Sequence, residues 1–147
     1  MKRCAGFTLV ELIAVMGIIG ILSATALPLY RTIQQRAYGS EASLMLKSIV
    51  DGEIVYFLAN ETFFPNEGTI SICHSDLPTI PEIDQVKNAL KISIHVDHFL
   101  DYTITGTAND CTVTISSKQN SFPLFRGGYT SIVGIISSTG KVDISPK

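Results

Sequence analysis

Charge is scarce in these 147 residues: Asp, Glu, Lys and Arg together make up 16%, and the net charge is −2. A generic nucleic-acid binder would carry a basic excess, and there is none. Three cysteines are too few for a disulfide-dense scaffold. No GxSxG, HExxH or P-loop occurs, and the Ser and His residues form no recognisable triad, so no enzyme chemistry is indicated. A CxxCH haem attachment is missing as well. His95-Val96-Asp97-His98, with His74 and Asp101 elsewhere, contains metal-ligating residue types. It has neither the density of an EF-hand nor the spacing of a zinc site. These read as surface residues, and no metal or cofactor is expected. What is abundant is apolar: 46% of the chain, with a mean hydropathy of +0.31, which excludes a disordered polymer.

The apolar residues gather at the N-terminus. From Leu12 to Tyr30 the chain runs LIAVMGIIGILSATALPLY without a charge. At about 1.5 Å per residue a helix of this length spans roughly 28 Å, close to the hydrocarbon core of a bilayer. An ordinary secretory signal has its small-residue cleavage site after the apolar core. Here the small-residue junction, Ala5-Gly6, comes before it, so cutting there would leave the apolar segment on the mature chain.

Gly6-Phe7-Thr8-Leu9-Val10-Glu11-Leu12, followed by an apolar run ending in Ala26-Leu27-Pro28, resembles the N-terminus of type IV pilins and type II secretion pseudopilins. The resemblance covers about the first 65 residues. It implies a leader, residues 1–6, removed by a prepilin peptidase between Gly6 and Phe7, and methylation of the new amine on Phe7. It further implies a helix, residues 7–30, that crosses the inner membrane and later forms the filament core. The head would stand in the periplasm before assembly and on an extracellular pilus afterwards. The implied partners are further copies of the chain in a homopolymer, the peptidase, and the inner-membrane assembly machinery of a pilus or secretion system.

Glu11 has two compatible readings. Thr8-Leu9-Val10-Glu11 has the spacing of a capping box. A carboxylate within an apolar span is also costly and usually functional. The resemblance suggests pairing of Glu11 with the Phe7 amine of a neighbouring subunit, a cation that exists only after cleavage. Gly17, Gly20, Ser23, Ala24 and Ala26 are small enough for close helix approach. Pro28 removes a backbone hydrogen bond, so a kink or a locally melted turn is expected there.

From residue 31 to 59 the pattern turns amphipathic, with Ala42, Met45, Leu46, Ile49, Val50, Tyr56 and Phe57 at steps of three or four. Residues 60–147 form the head, entered through a connector containing Pro65, Pro78 and Pro81. Strand-type alternation follows at Leu90–Val96, Leu100–Ile104 and Cys111–Ile115. Ile132–Ile136 and Val142–Ile144 flank the hairpin loop Ser137–Lys141. The fold class expected is α+β, a type IV pilin fold with the long helix packed on a four- to five-stranded antiparallel sheet. Losing the leader would discard Cys4 and leave Cys73 and Cys111, an even pair in a domain expected outside the cytoplasm. A disulfide between them is expected, with two free thiols as the alternative. The loop Phe122–Tyr129 reads as core packing, with a subunit contact or a lid over the sheet as the other possibilities.

The function expected from the resemblance is that of a structural pilin serving adhesion, motility or DNA uptake. A pseudopilin, or a minor pilin that binds DNA or a surface ligand, are the alternatives. Residues 60–147 hold six Lys and Arg against nine Asp and Glu, a net −3 that argues against phosphate binding. Conduction through aromatics is a remote further reading, since aromatics on a packed helix are usually core.

Overall fold

Helix α1 runs unbroken from Leu9 to Asn60 in the computed structural model, which describes residues 7–96 and 99–147. The expected leader, with Cys4 and Gly6, lies outside the described residues, as do Asp97 and His98. The chain divides after Gln34 into two compact units. In the first, Thr8 caps α1, and the large apolar side chains from Leu9 to Ile33 are all exposed. This stretch is long and apolar enough to cross a membrane.

The second unit begins with the rest of α1. Its buried positions Gly39, Ala42, Leu46, Ile49, Val50 and Glu53 recur every three or four residues, the period of one helix face. The helix stops where Glu61 turns into the left-handed region (φ 58°) and donates its N–H to the Phe57 carbonyl at 2.8 Å. The sheet is an antiparallel meander of β1 (Gly68–Ile72), β2 (Leu100–Gly106), β3 (Asp110–Ser117), β4 (Ser131–Ser137) and β5 (Val142–Pro146), in that order. In β2 and β3 every second residue is buried, so Leu100, Tyr102 and Ile104 share a core with Cys111, Val113 and Ile115. The register carries the inner face on to Ile132, Gly134 and Ile136. At Gly134 α1 packs tightly on the sheet, since a Cβ there would lie 3.0 Å from a Leu46 methyl. β5 is an edge strand with all five residues exposed.

Three sequence expectations change. Leu90–Val96 is not a strand: α2 (Pro81–Leu90) takes in Leu90, and residues 91–96 follow without a ladder partner. Pro at the first position, Glu82 and Asp84 in the first turn, and Ile83, Val86 and Leu90 on one buried face make this a helix. Lys91 ends it in the left-handed conformation. The turn at Pro28 is not melted, because α1 continues through it. The disulfide is not formed either: Cys73 and Cys111 are both free. Cys111 pairs with Gly106, and Gly106 with Gly68, whereas Cys73 follows Ile72 at the opposite end of the ladder. Five residues of strand are roughly 17 Å, far beyond the ~7 Å Cα separation a disulfide tolerates.

The Phe122–Tyr129 loop packs, as its composition suggested. Leu124 is buried, and its carbonyl sits so close to α1 that a Cβ on Gly39 would lie 2.3 Å away. Gln35 donates its side-chain amide to the Phe125 carbonyl at 2.8 Å. The Tyr129 carbonyl closes the loop by accepting from the Leu124 and Phe125 N–H groups.

Candidate assembly site

Helix α1 opens with its capping box formed. The Glu11 Oε2 accepts the Thr8 backbone N–H at 2.9 Å and the Thr8 hydroxyl at 2.8 Å, while Thr8 Oγ1 accepts the Glu11 N–H at 3.3 Å. Two otherwise orphaned donors are thereby satisfied at an apolar helix end. A carboxylate can accept about four hydrogen bonds. Two bonds to Thr8 therefore leave acceptor capacity, and the box also fixes the rotamer that would present the carboxylate to a cation. Phe7, two residues before the first helical turn, is 89% exposed.

Farther along, Thr25 and Thr32 turn their hydroxyls back onto the Leu22 and Pro28 carbonyls at 3.0 and 3.1 Å. This hides polar groups that would otherwise face lipid or a neighbouring helix. Gly17 and Gly20 have nothing within 4 Å of a built Cβ, so both leave open notches on this segment. Pro28 offers no N–H to the carbonyl one turn back, so this turn of α1 lacks one of the helix's hydrogen bonds. Glu11, Phe7 and Pro28 are thus placed on one apolar segment, Gly6 lies beyond the described residues, and Cys73 and Cys111 belong to the second unit as separate thiols.

The sequence reading passed over Glu53. It is fully buried on α1, and its Oε2 accepts the Phe64 N–H at 3.0 Å, which ties the chain after the helix back to it. Its Oε1 has no hydrogen bond of ordinary geometry among the described residues, although the Cys111 thiol lies close enough to act on the carboxyl. Burial pushes the Glu53 carboxyl up to about 7, against the opposing pull of the Phe64 N–H and the Cys111 thiol. Burial and the neighbouring Glu53 push the Cys111 thiol well above its ordinary range. The available signal was an acid four residues after Ile49 and four before Phe57, on the apolar face of α1. His74 holds Asp101 through its ring Nδ1 and its backbone N–H, both at 2.8 Å. Among the described residues no group of three or more His, Cys, Asp and Glu could hold a metal ion.

Residues 1–27 match the family model of the prokaryotic N-terminal methylation motif. The type IV major pilin protein PilE of Neisseria gonorrhoeae is 42% identical over 64 residues, covering 44% of this chain and 38% of that protein. A fimbrial protein of Neisseria meningitidis is 42% identical over 64 residues, 44% of this chain and 37% of that one. The type IV major pilin protein PilA of Myxococcus xanthus is 40% identical over 67 residues, 44% of this chain and 30% of the relative. The chain thus spans well under half the length of the curated relatives it matches. No solved structure matches it. A methylation motif over the capped helix start and shared identity with pilins of distant bacteria point the same way: the N-terminal part of the chain is similar to that of type IV major pilins.

Proposed function

We propose that this chain is the structural subunit of a type IV pilus, polymerising with its own copies through the first half of α1. The observation that carries the reading is the fully exposed apolar segment from Leu9 to Ile33, led by a formed capping box within the matched motif. Such a surface requires lipid or other helices around it. In this reading the prepilin peptidase cuts between Gly6 and Phe7 and methylates Phe7, and the subunit waits in the inner membrane with its head in the periplasm. The filament, once assembled, serves adhesion, motility or DNA uptake outside the cell.

Moving from bilayer to filament exchanges lipid tails for apolar side chains, so the hydrophobic gain is small and packing and polar contacts decide. The notches at Gly17 and Gly20 supply close approach. Glu11 supplies register by meeting the Phe7 amine of a neighbour. Before cleavage that nitrogen is an uncharged amide, so the ion pair is withheld until the subunit is processed. A buried pair of this kind contributes little net stability, and its worth is in specifying one alignment. At Pro28 the missing hydrogen bond makes a turn that can unwind in the filament.

The test is the intact mass of this protein in filaments sheared from cells. The expected species begins at Phe7, carries one methyl group and retains both thiols. A processed chain found only in the membrane fraction would replace the pilus by a secretion pseudopilus. An uncleaved chain would overturn the proposal.

A further inference from the structure

The head's charge is unevenly distributed along its sheet. Half of the basic residues in residues 60–147, namely Lys118, Arg126 and Lys147, sit at the end where β3 finishes and β4 starts. The Ser117 N–H bonds the Thr130 carbonyl, Lys118 follows at once, and Lys147 pairs its backbone with Ser131. The same end receives α1: Gln35 holds Phe125, and the loop continues through exposed Arg126 to Tyr129, which is 45% exposed. Arg36, on α1 beside Gln35, is exposed as well. Acids crowd elsewhere, at Glu61, Glu67, Glu82, Asp84, Asp110 and Asp143. Three acids lie toward this end: Asp76 accepts the Cys73 N–H, Asp101 accepts the His74 backbone N–H, and Glu41 lies where it acts on Tyr102.

The chain's own connectivity fixes what this end meets. Gln35 is five residues beyond Tyr30, where the uncharged run stops, which is roughly 8 Å along a helix and at most about 17 Å fully extended. The polar zone of a bilayer adds about 5–7 Å beyond the hydrocarbon on each side, and a further ~8–10 Å lies within a Debye length of the headgroups. While the span is inserted, Gln35 therefore stays within about 17 Å of the end of the uncharged run, in or beside that layer. Aromatic and basic side chains are the types that settle there, the ring at the boundary and the cation among phosphates. Leu124 already serves the core, whereas the side chains of Arg126 and Tyr129 are exposed.

We propose that the α1-entry end of the head is a docking surface for the phosphate headgroups of anionic phospholipids in the bilayer that the chain spans. It rests on the reading that Leu12–Tyr30 crosses that bilayer. Docking would hold this end of the unassembled subunit's head at the membrane surface, and would have to be released as the subunit is drawn into a filament.

The test uses the full chain reconstituted into phosphatidylcholine vesicles, with and without phosphatidylglycerol. The sequence has no tryptophan, so Tyr129→Trp provides a single fluorophore, and Thr139→Trp in the far hairpin is the control. Lipids brominated near the headgroup are the quencher. With phosphatidylglycerol present, Y129W should be quenched about threefold more than T139W, and adding Arg126→Ala and Lys118→Ala should remove most of that excess. Equal quenching of the two reporters, or quenching indifferent to phosphatidylglycerol, overturns the proposal while the span stands. Carbonate extraction of the same vesicles separates the two failures, because a chain that washes off has lost the span and the docking together.

Discussion

Replacing Glu53 by Gln should make the head more stable at neutral pH, by an amount that grows with pH. Glu53 is fully buried, its Oε2 holds the Phe64 N–H, and its carboxyl is pushed from an ordinary 4.5 to about 7. Below pH 4.5 the acid is protonated in the folded and unfolded chains alike and costs nothing. Between 4.5 and 7 the unfolded chain releases the proton while the folded chain keeps it, so stability falls as pH rises. Above 7 both states are ionised and the loss is complete, about 3 kcal/mol at roughly 1.4 kcal/mol per pH unit. The Gln amide oxygen can still accept from Phe64 and cannot ionise. The neighbouring Cys111 thiol stays neutral throughout this window, since its own proton is held far more tightly. Urea unfolding of the full chain in detergent, followed by tyrosine near-ultraviolet dichroism, measures the difference between E53Q and the parent. That difference should be near zero at pH 4 and about 3 kcal/mol at pH 8. A difference that stays flat from pH 4 to 8 would refute the argument that burial dominates at this site.

The capping and pairing roles of Glu11 separate by substitution. Glu11→Gln keeps the box and Glu11→Ala removes it, so if pairing matters both should lower the yield of sheared filaments about tenfold, and a normal yield from E11Q would leave only the cap. Gly39→Ala places a methyl 2.3 Å from the Leu124 carbonyl and should cost about 1–3 kcal/mol in head unfolding, despite alanine's better helix propensity. Gly20→Ala should leave that unfolding unchanged, having nothing within 4 Å, yet reduce filament yield by filling a notch. In the chain cut after Gly6, which has lost Cys4, maleimide should label exposed Cys73 and spare buried Cys111, one adduct by mass before denaturation. Labelling of Cys73 should accelerate well past neutral pH, since desolvation and the carboxylates of Asp76 and Asp101 raise its thiol; two adducts or none in the folded state would contradict the fold.

Much of this architecture could be read from residue order alone, and the exceptions have physical causes. The first half of α1 announces itself by nineteen uncharged residues, and its start by Thr8 and Glu11 at capping distance. β2 and β3 show the alternation of a half-buried strand, and β4 and β5 are marked by the apolar segments on either side of the Ser137–Lys141 loop. Leu90, Ile92, Ile94 and Val96 alternate too, but Leu90 also completes the Ile83–Val86–Leu90 helical face, and burial on α2 prevails. β1 is five residues behind a proline-containing connector, too short for its period to stand out. The cysteines misled because pairing was argued from compartment and parity, whereas the ladder register puts Cys73 and Cys111 at opposite ends. Of the candidate site, the cap was legible because it is local. Glu53 was not, because an acid on an apolar face resembles a polar interruption until its partner, Phe64, is brought back by the fold.

The sheet order β1-β2-β3-β4-β5 is also the order in which the chain is made. A polypeptide crossing a membrane after its own N-terminal helix delivers strands one at a time. In this meander each arriving strand finds its neighbour already present, and none has to keep a gap open for a later one. Pairings between adjacent segments are also the quickest to close. The last to arrive, β5, is the exposed edge, so the core is complete before the final strand docks. If the proposed function holds, a subunit that has to be ready before it enters a polymer would therefore spend little time with its interior open to neighbours at the same stage.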